Sequence, residues 1–414
     1  MTINILEALM KHEEWDVVVV GGGITGLTAT MMFQKLFLKT VCIEPNPPPK
    51  TIESARVDLR STAYLLKSID LFKTAGLWNK IKSHGQELKV MTIKDCDSRT
   101  GKLRNSSSFY ASDLKLPYLA YNIPNWVVKN LISSSINEMQ KKSVRYGTYV
   151  VGLTTQLESS IIKLSDNSRI SAKLVVAADG SNSTLRQLAS IKIKKWGNDQ
   201  AALAFLATHT KPHNGESIEI LSQGGPCTSV PMKPTPDGAF CSACVWMEHR
   251  KKAHELMLLD DVNFSRKLSL RMSKILGDFR VYSKRSLFPV TSQVAERFFC
   301  QRLALIGEAA HVMPPIGAQG LNTSLEDIQT LYTLLKQAIE HQQDIGSQKI
   351  LKQYDKTRRT SVKARILGVN LLNQTSKTNI QFVNDFRNMS LKLLSNNLDL
   401  RKILMRVGLG QRLF

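Results

Sequence analysis

The sequence predicts an α/β fold in which a parallel-sheet domain made of separated segments carries an inserted mixed or antiparallel β-sheet and ends in helices. A strand, a glycine cluster, a helix and a second strand follow one another within residues 15–44, which makes a Rossmann-like βαβ unit. Short alternating strands and turns fill residues 191–290, as in an antiparallel sheet. The 414 residues are too many for one ordinary core.

The βαβ unit comes first along the chain. Residues 15–20 (WDVVVV) form an apolar run that is short enough for a fully buried parallel strand. A helix is predicted from Ile24, because the segment after the glycines is rich in good helix formers. Residues 40–44 form the second strand, and the proline-rich tract 45–49 then forbids regular structure.

Later elements follow from hydrophobic periodicity. Residues 61–76 and the segment after Pro124 each place apolar side chains on one helical face, so both are predicted as amphipathic helices. The other predicted elements are strands over 150–179, short strands around 201–209, 216–221 and 239–247, a buried strand over 302–307, and helices over about 321–342 and 346–414.

Composition restricts the class of partner. Lys and Arg exceed Asp and Glu by 56 − 34 = 22, an excess that favours anionic partners. The basic residues are spread without a basic block, so a solubilising surface is the preferred interpretation and no nucleic-acid partner is predicted. No apolar stretch approaches the roughly 20 residues that cross a bilayer. Residues 1–14 lack the pattern of a signal peptide, and a cytoplasmic protein is expected.

Thiol and metal chemistry are not expected. Cys241 and Cys244 form a C-x-x-C inside a strand-like run, without the helix N-terminus that lowers the pKa of a reactive thiol. We therefore predict buried strand cysteines. His209 and His213 are four residues apart, but Pro212 argues against a helix that would bring them together, so no metal site is predicted.

The strongest single motif is a G-x-G-x-x-G between the first strand and its helix. Gly21 permits the tight turn, Gly23 lets the backbone approach a pyrophosphate, and Gly26 lets the helix pack on the strand. Phosphates then lie at the positive end of the helix. Glu44 ends the second strand, 21 residues after Gly23, where a carboxylate can accept hydrogen bonds from ribose hydroxyls. A glycine turn without a ligand is the much weaker alternative.

Two further segments follow strands. Residues 178–186 (ADGSNSTLR) put Asp179 at a strand end, which fits a ligand-facing loop and an Asp-Gly turn with a helix cap equally well. Residues 307–322 (GEAAHVMPPIGAQGLN) join small residues to an irregular loop and a helix start, whose N–H groups can stabilise negative charge. The alternative is an ordinary strand–loop–helix connection. His311 in this segment is interpreted as a packed, hydrogen-bonded histidine rather than a catalytic base.

Together these segments resemble the flavoprotein hydroxylases of the p-hydroxybenzoate hydroxylase type, and more narrowly the ubiquinone-biosynthesis hydroxylases (the UbiH/UbiF/VisC group). That branch carries A-D-G-x-x-S-x-x-R, matched by residues 178–186, and G-D-A-A-H…P…G-Q-G-L-N, matched by residues 307–322. Smaller likenesses are Asp58-Leu59-Arg60, Asn125, Ser217-Ile218-Glu219 followed by Gly225-Pro226, and the strand that contains Val245-Trp246.

Two departures from the family pattern lie in the third segment. Glu308 stands where the family usually has an Asp that contacts the ribityl chain, and its extra methylene changes the reach of that contact. Gly317-Ala318-Gln319-Gly320 replaces the commoner A-G-Q-G, which moves one glycine back by a position. Both changes keep residue size and polarity close.

The resemblance implies that the chain binds FAD and uses NAD(P)H as reductant. The glycine motif and Glu44 would hold the ADP half, Arg60 and Asn125 the pyrophosphate or flavin side, and the other residues the ribityl chain and isoalloxazine. No catalytic base is predicted. The full set of predicted cofactor-binding residues is Gly21, Gly23, Ile24, Thr25, Gly26, Glu44, Arg60, Asn125, Asp179, Gly307, Glu308, Pro315, Gly317, Gln319, Gly320, Leu321 and Asn322.

The activity that the resemblance implies is ring hydroxylation of a polyprenylated phenol in ubiquinone biosynthesis. NAD(P)H reduces the flavin, O2 adds to give a flavin hydroperoxide, and its distal oxygen passes to the ring. An FAD-dependent reductase or halogenase on the same fold and a non-catalytic flavin-bound scaffold are the alternatives. The chain has no W-x-W-x-I-P segment, which disfavours a tryptophan halogenase.

The predicted FAD-binding domain is discontinuous and consists of 14–85, 115–190 and 285–345. The substrate domain consists of 86–114 and 191–284, and a helical region follows over 346–414. The basic, Leu-rich end at 391–414 fits two roles: peripheral contact with an anionic membrane at its inner face, or packing on the body or on another ubiquinone-biosynthesis protein. Packing is the preferred interpretation.

Overall fold

The computed structural model describes residues 13–49, 60–96, 103–140, 142–377 and 397–410. The helices are α1 Ile24–Gln34, α2 Leu66–Ala75, α3 Trp78–Lys82, α4 Asn125–Met139, α5 Thr184–Leu188, α6 Arg250–Met257, α7 Asp261–Arg271, α8 Gln319–Glu340, α9 Gln348–Lys377 and α10 Leu398–Gly408. The strands are β1 Glu13–Val20, β2 Thr40–Glu44, β3 Ser61–Leu65, β4 Gln86–Leu88, β5 Val90–Cys96, β6 Leu103–Tyr110, β7 Ala120–Pro124, β8 Val144–Tyr146, β9 Val150–Thr155, β10 Ser160–Leu164, β11 Arg169–Ala177, β12 Ile193–His209, β13 Glu216–Ser222, β14 Gly225–Pro231, β15 Phe240–His249, β16 Phe279–Val281, β17 Ser286–Ala295, β18 Phe299–Cys300, β19 Leu303–Leu305 and β20 His311–Val312.

An eight-stranded sheet contains the predicted βαβ unit. Its main path runs β18-β19-β11-β1-β2-β8, and β10 and β9 extend it beside β11. β1 is parallel to both of its neighbours, with Val20 opposite Ala177 of β11 and Ile43 of β2. β19 is parallel to β11, with Leu305 opposite Ala177. Because parallel strands end at the same edge, the segments that follow β1, β2, β11 and β19 leave the sheet side by side.

A nine-stranded sheet runs β20-β17-β12-β15-β14-β13-β5-β6, with β16 paired to β12. Its pairs are antiparallel except for β13 and β5, which are parallel. One face is covered by α6 and α7, where Leu203 and Trp246 pack with Phe264. The opposite face carries Ala202 and Met247 and faces the third glycine-rich segment. We call this second surface the inner face.

A three-stranded sheet, β3-β7-β4, corrects one sequence prediction. The helix predicted over 61–76 begins only at Leu66, because residues 61–65 pair with β7, with Ser61 opposite Pro124 and Leu65 opposite Ala120. Tertiary strand pairing therefore overrides the local helical periodicity. The helices α6 and α7, within the part predicted as sheet and turns, are a second difference.

The C-terminal helices are present as α9 and α10. Residues 391–396 and 411–414 of the predicted Leu-rich end, and Asp58-Leu59 of the smaller likeness, lie outside the described residues. In the described ranges no helix is both long enough and apolar enough to span a membrane. The predicted domain boundaries stay a proposal. β17, from the segment 285–345, pairs with β12 of the nine-stranded sheet.

The cysteines and paired histidines of the nine-stranded sheet are packed within it. Cys241 and Cys244 are buried free thiols on β15, and burial raises the pKa of Cys241 to about 12. His209 Nε2 is 3.0 Å from Ser242 Oγ, and His213 Nε2 is 3.0 Å from the carbonyl oxygen of Met232. These side chains are held by hydrogen bonds and packing within the sheet.

Candidate functional site

The glycine turn after β1 brings two segments into contact. Gly21 has a φ of +107°, which favours glycine, and a Cβ there would overlap the carbonyl oxygen of Ala178. A Cβ at Gly26 would overlap the carbonyl oxygen of Gly21. By contrast, a Cβ at Gly23 would meet no protein atom within 4 Å. Gly21 and Gly26 therefore allow the chain to pack, whereas Gly23 faces open space at the start of α1.

Glu44 lies beside this turn, at the end of β2. Its Oε2 accepts a hydrogen bond from the Gly22 N–H at 2.5 Å, and its Oε1 accepts one from the Asn46 N–H at 3.0 Å. Each carboxylate oxygen has a second lone pair, so the half-buried side chain keeps capacity for further donors. The structure thus places Glu44 against the glycine turn, as the motif spacing predicts.

Asp179 follows β11 and lies next to Gly21. Its Oδ2 accepts a hydrogen bond from the Leu185 N–H at 3.1 Å, at the start of α5. Its Oδ1 is buried and has no hydrogen-bond partner within the described residues. Asp179 therefore caps a short helix and keeps one buried acceptor oxygen unused, which leaves the ligand-facing interpretation a prediction.

The third segment joins the first two. Gly307 follows β19, and a Cβ there would come within 3.0 Å of Thr25 Cγ2 in the first segment. Arg186, the last residue of the second motif, is buried and donates from Nη1 to the carbonyl oxygen of Ala309 at 2.9 Å and from Nη2 to that of Ser181 at 2.8 Å. Glu308, in the short 3-10 turn Gly307–Ala309, is exposed. Three distant stretches of chain therefore meet at one sheet edge.

A buried network of charged and hydrogen-bonded side chains packs against the third segment. Asp327 of α8 is fully buried and accepts hydrogen bonds from the Gly307 N–H at 3.0 Å, from His311 Nε2 at 2.7 Å and from Arg358 Nε at 2.7 Å. Burial raises the pKa of Asp327, but the charges and hydrogen bonds of His311 and Arg358 outweigh it and bring that pKa below its ordinary value. His311 is thus a packed, hydrogen-bonded residue.

The loop before α8 turns sharply through two left-handed residues, Gly317 with φ +61° and Ala318 with φ +55°. Ala318 occupies the position where the family usually has glycine, and a non-glycine residue in this region carries backbone strain of about 1 kcal/mol. The Gln319 side chain donates to the carbonyl oxygens of Gly317 at 3.1 Å and Gly408 at 3.3 Å. A Cβ at Gly320 would meet no protein atom within 4 Å, so the first turn of α8 borders open space near Pro315.

Asn322 fastens the first turn of α8 to its neighbours. Its Oδ1 accepts from the Leu65 N–H at 2.9 Å and from the Ser68 hydroxyl at 2.6 Å. Its Nδ2 donates to the carbonyl oxygens of Ala63 at 2.9 Å and Ala318 at 2.7 Å. The side chain is buried with all of these bonds made inside the protein, so it positions the helix. Leu321 beside it packs against the main core.

Arg60 and Asn125 lie together at the end of the three-stranded sheet. The Asn125 N–H donates to the carbonyl oxygen of Arg60 at 2.9 Å, and the Thr62 hydroxyl donates to Asn125 Oδ1 at 2.8 Å. The Arg60 guanidinium lies over the ring of Phe288 at 5.8 Å, on the inner face of the nine-stranded sheet. These two predicted residues therefore lie next to the inner face.

The cleft has the features that a dinucleotide requires. Glycine surfaces without protein neighbours occur at Gly23 and Gly320. Two helices, α1 and α8, begin there, and the first N–H groups of a helix have no partner within it and favour phosphate or a negatively charged ring. The buried Oδ1 of Asp179 is an acceptor that a ligand hydroxyl or N–H would satisfy. The residues present therefore fit a flavin dinucleotide.

Comparison with known proteins identifies the family. The family model of the FAD binding domain matches residues 14–367. The chain belongs to this family. FAD is therefore the cofactor of this chain.

Two relatives and one solved structure illustrate the similarity. The ubiquinone hydroxylase UbiL of Rhodospirillum rubrum is 28% identical over 344 residues, which cover 83% of this chain and 77% of UbiL. The 3-demethoxyubiquinol 3-hydroxylase of Escherichia coli is 24% identical, with 97% of this chain and 100% of that protein covered. The p-nitrophenol 4-monooxygenase PnpA of Pseudomonas putida has the same fold, with a TM-score of 0.79 at 18% identity, and the match covers 97% of this chain and 100% of PnpA.

These findings confirm the predicted resemblance to the ubiquinone-biosynthesis hydroxylases, the α/β fold class and FAD as cofactor. They also confirm that the chain is an oxidoreductase of the FAD-dependent monooxygenase type. The individual cofactor-binding residues remain predictions, which the geometry of the cleft supports.

Sequence reasoning missed part of the support around the cleft. Arg186 was visible as the end of the second motif, but its hydrogen bonds to the third segment depend on tertiary structure. Asp327 gave a weaker signal, an acid between Leu325 and Ile328 on the apolar face of α8. Its partner Arg358 lies 31 residues further on, and nothing local connects the two.

Proposed function

We propose that this monooxygenase hydroxylates the aromatic ring of a polyprenylated phenol in ubiquinone biosynthesis, with NAD(P)H as reductant and O2 as the source of oxygen. The observation that carries the proposal is the meeting of the three glycine-rich or acidic segments beside an apolar sheet face. The names of the relatives, a ubiquinone hydroxylase and a 3-demethoxyubiquinol 3-hydroxylase, support the substrate class. The reductant and the route of oxygen transfer implied by the resemblance belong to this proposal.

Each segment of the chain has a proposed part in holding the cofactor, which supplies the redox and oxygen-activating chemistry when bound. The turn at Gly21 and Gly23 and the carboxylate of Glu44 hold the ADP half. Asp179 and Glu308 hold the ribityl side. The first turn of α8 directs its N–H groups at negative charge on the reduced ring.

The inner face supplies the dry surface that the reaction needs. Ala202, Met247 and Val290 form a buried cluster with Ile316 of the third segment and Val369 of α9. Apolar side chains at this position exclude water from the reacting ring. The proposed domain division assigns the strands of this sheet to the substrate domain, except for β17 and β20, which come from the segment 285–345.

The C-terminal helices expose apolar side chains that match the prenyl tail of the proposed substrate. Leu367 and Leu371 of α9 and Ile403 and Leu404 of α10 are exposed, by between 43% and 72%. An apolar helix face with flanking basic residues such as Lys402 binds membrane interfaces or protein partners. We propose that this surface contacts an anionic membrane or another ubiquinone-biosynthesis protein. Co-sedimentation with anionic and neutral vesicles tests it: binding to neither removes the membrane contact.

The decisive experiment for the activity is turnover by the purified yellow protein. We expect NADH or NADPH oxidation that depends on a short-chain prenylated phenol, with one atom of oxygen from labelled O2 in the ring product. The same phenol without its prenyl group is the control and should turn over more slowly. Reductant oxidation without oxygen in the product would support a reductase, a halogenated ring a halogenase, and no oxidation at all a flavin-bound scaffold.

A further inference from the structure

Glu219 is a carboxyl buried in the middle of the nine-stranded sheet. It lies on β13 and is only 6% exposed. It is not among the residues of the cofactor cleft, and the sequence predicts no catalytic base. The face of the sheet on which Glu219 lies decides which groups it contacts.

The strand register places Glu219 on the inner face. Glu219 is directly opposite Thr228 of β14, Thr228 is opposite Val245 of β15, and Val245 is opposite Ala204 of β12. Residues directly opposite one another in neighbouring strands project from the same face. Ala202, two residues before Ala204, shares that face because side chains alternate along a strand.

The same face reaches the cofactor cleft. Ala202 belongs to the cluster that contains Ile316 of the third segment, and Val245 packs against this cluster. Phe288 is opposite Ala202 and carries the Arg60 guanidinium over its ring. Strands are about 4.8 Å apart, so Glu219 lies roughly 10 Å from Val245 across the sheet. Glu219 therefore shares the inner face with the residues that border the third segment.

The surroundings of Glu219 leave the carboxyl poorly compensated. Within the described part of the chain its one hydrogen bond comes from the Thr228 hydroxyl at a long 3.5 Å. Burial raises the pKa of Glu219 to about 7, and the Thr228 bond offsets this only in part. Such an arrangement costs folding free energy, and perturbed carboxyls of this kind concentrate at functional sites.

The inner face and the helix α9 that packs against it carry a second carboxyl and two amides. Asp95 of β5 is opposite Leu221, two residues from Glu219, so it is a second carboxyl on the inner face. From α9, which packs against the sheet, Asn370 accepts from the Ser292 hydroxyl at 2.6 Å and Asn373 donates to Gln200 Oε1 at 2.9 Å. These amides do not titrate.

We propose that Glu219 accepts the hydrogen bond of the substrate's phenolic hydroxyl and takes its proton, which makes it a catalytic residue of the hydroxylation. The inference rests on the proposed function. The phenolic O–H bond breaks, the proton moves to a carboxylate oxygen of Glu219, and the electron pair stays on the phenolate oxygen. The ring becomes more electron-rich and accepts the oxygen atom more readily. When the product regains aromaticity, the ring carbon that received the oxygen loses its hydrogen as a proton to solvent, and Glu219 returns its own proton to the phenolic oxygen.

The first test uses binding without turnover. A short-chain prenylated phenol and its O-methyl ether, which cannot donate a hydrogen bond, are titrated into the oxidised holoenzyme and followed by flavin fluorescence. We expect the wild type to bind the phenol at least tenfold more tightly than the ether. Glu219→Leu, which removes the acceptor, should bind both within about twofold. Glu216→Gln, on the same strand but the opposite face, is the matched control and should behave as wild type.

The second test is the pH profile of hydroxylation. Because a base must be ionised to accept a proton, wild-type kcat should fall as the pH drops below about 7. Glu219→Gln should lower kcat about 100-fold, with KM changed less than threefold. In this variant kcat should no longer fall as the pH drops below about 7. FAD content and circular dichroism verify that each variant is folded.

The outcomes separate the two levels of the proposal. If the wild type prefers and hydroxylates the phenol while both Glu219 variants match it, the role of Glu219 is overturned and the proposed function stands. If the wild type neither binds nor hydroxylates the phenol, the proposed function fails and this inference with it. If the Glu219 variants lose both the preference for the phenol over its ether and the fall of kcat at low pH, the result supports Glu219 as the proton acceptor.

Discussion

At the scale of single residues, the glycines of the first segment divide into two kinds. Gly21 and Gly26 are glycines because protein atoms occupy the space of a Cβ, whereas Gly23 borders no protein atom. Only the second kind leaves room that a ligand can fill. Sequence spacing alone treats all of them as one motif, so the structure adds the distinction between folding and binding.

Alanine substitutions should separate these two roles. Gly21→Ala should destabilise the protein by about 2–4 kcal/mol, because a Cβ overlaps the Ala178 carbonyl and φ is left-handed. Gly23→Ala should change the stability of the apoprotein by less than about 0.5 kcal/mol and weaken FAD binding at least tenfold. Urea denaturation of the apoproteins and FAD titration measure the two effects. Equal FAD affinity in Gly23→Ala and wild type would contradict a pyrophosphate at this turn.

At the scale of elements, α8 connects the cofactor cleft to the rest of the fold. Asn322 attaches its first turn to β3 and α2. One and a half turns later, Asp327 attaches it to the third segment and, through Arg358, to α9. The position of the third segment is therefore set by buried polar groups on one helix.

Removing the charge of Asp327 should be costly. Asp327→Asn leaves the buried Arg358 without its closest counter-charge, and breaking a buried ion pair costs about 3–5 kcal/mol. The pKa of Asp327 lies below its ordinary 3.8, so its stabilising contribution is full above that pH and is lost as the pH falls through the folded-state pKa. Wild type should therefore lose stability on acidification more steeply than the variant.

Urea unfolding from pH 3 to pH 8 measures this difference. The exposed pair Lys73–Asp70 provides the control, and Asp70→Asn should change the free energy of unfolding by less than about 1 kcal/mol at any pH. A loss no larger for Asp327→Asn than for Asp70→Asn would show that the network does not hold the third segment.

At the scale of the whole molecule, the proposed cofactor cleft is formed by stretches of chain that are far apart in the sequence. The first segment precedes residue 45 and the third follows residue 306, and both end at the same sheet edge. A cofactor bound across them acts on the folded state only, because the unfolded chain does not bring them together.

FAD should therefore stabilise the whole protein. In thermal denaturation of the apoprotein, FAD at 100 times its Kd should add about 2.7 kcal/mol to the free energy of unfolding and raise Tm accordingly. Flavin mononucleotide, which lacks the ADP half, is the control and should add much less, since the turn at Gly21 and Gly23 and Glu44 would have nothing to hold. Equal stabilisation by both flavins would argue against the ADP half binding at the βαβ unit.

Sequence reasoning predicted more of the proposed cofactor cleft than of the inner face. The glycine turn, Asp179 and the start of α8 were found because each signal is a local pattern of strand, turn and helix. The strand at 61–65 and the helices α6 and α7 were missed, because β3 depends on pairing with β7 and the two short helices have narrow apolar faces. Glu219 gave only a weak signal, as part of the Ser217-Ile218-Glu219 likeness to the family, and its place on the inner face is what distinguishes it from a surface carboxyl.

The amino-acid order by itself determined the three nucleotide-binding signatures, the α/β class and the family, because strand ends, glycine turns and helix starts are encoded within a few tens of residues. Only the tertiary structure decided that Asp179 lies against Gly21, that Asp327 meets Arg358 and that Glu219 faces inwards. Strand order, register and burial bring together residues far apart along the chain. Desolvation and charge pairing, which set the chemistry of those carboxyls, exist only once that assembly has formed.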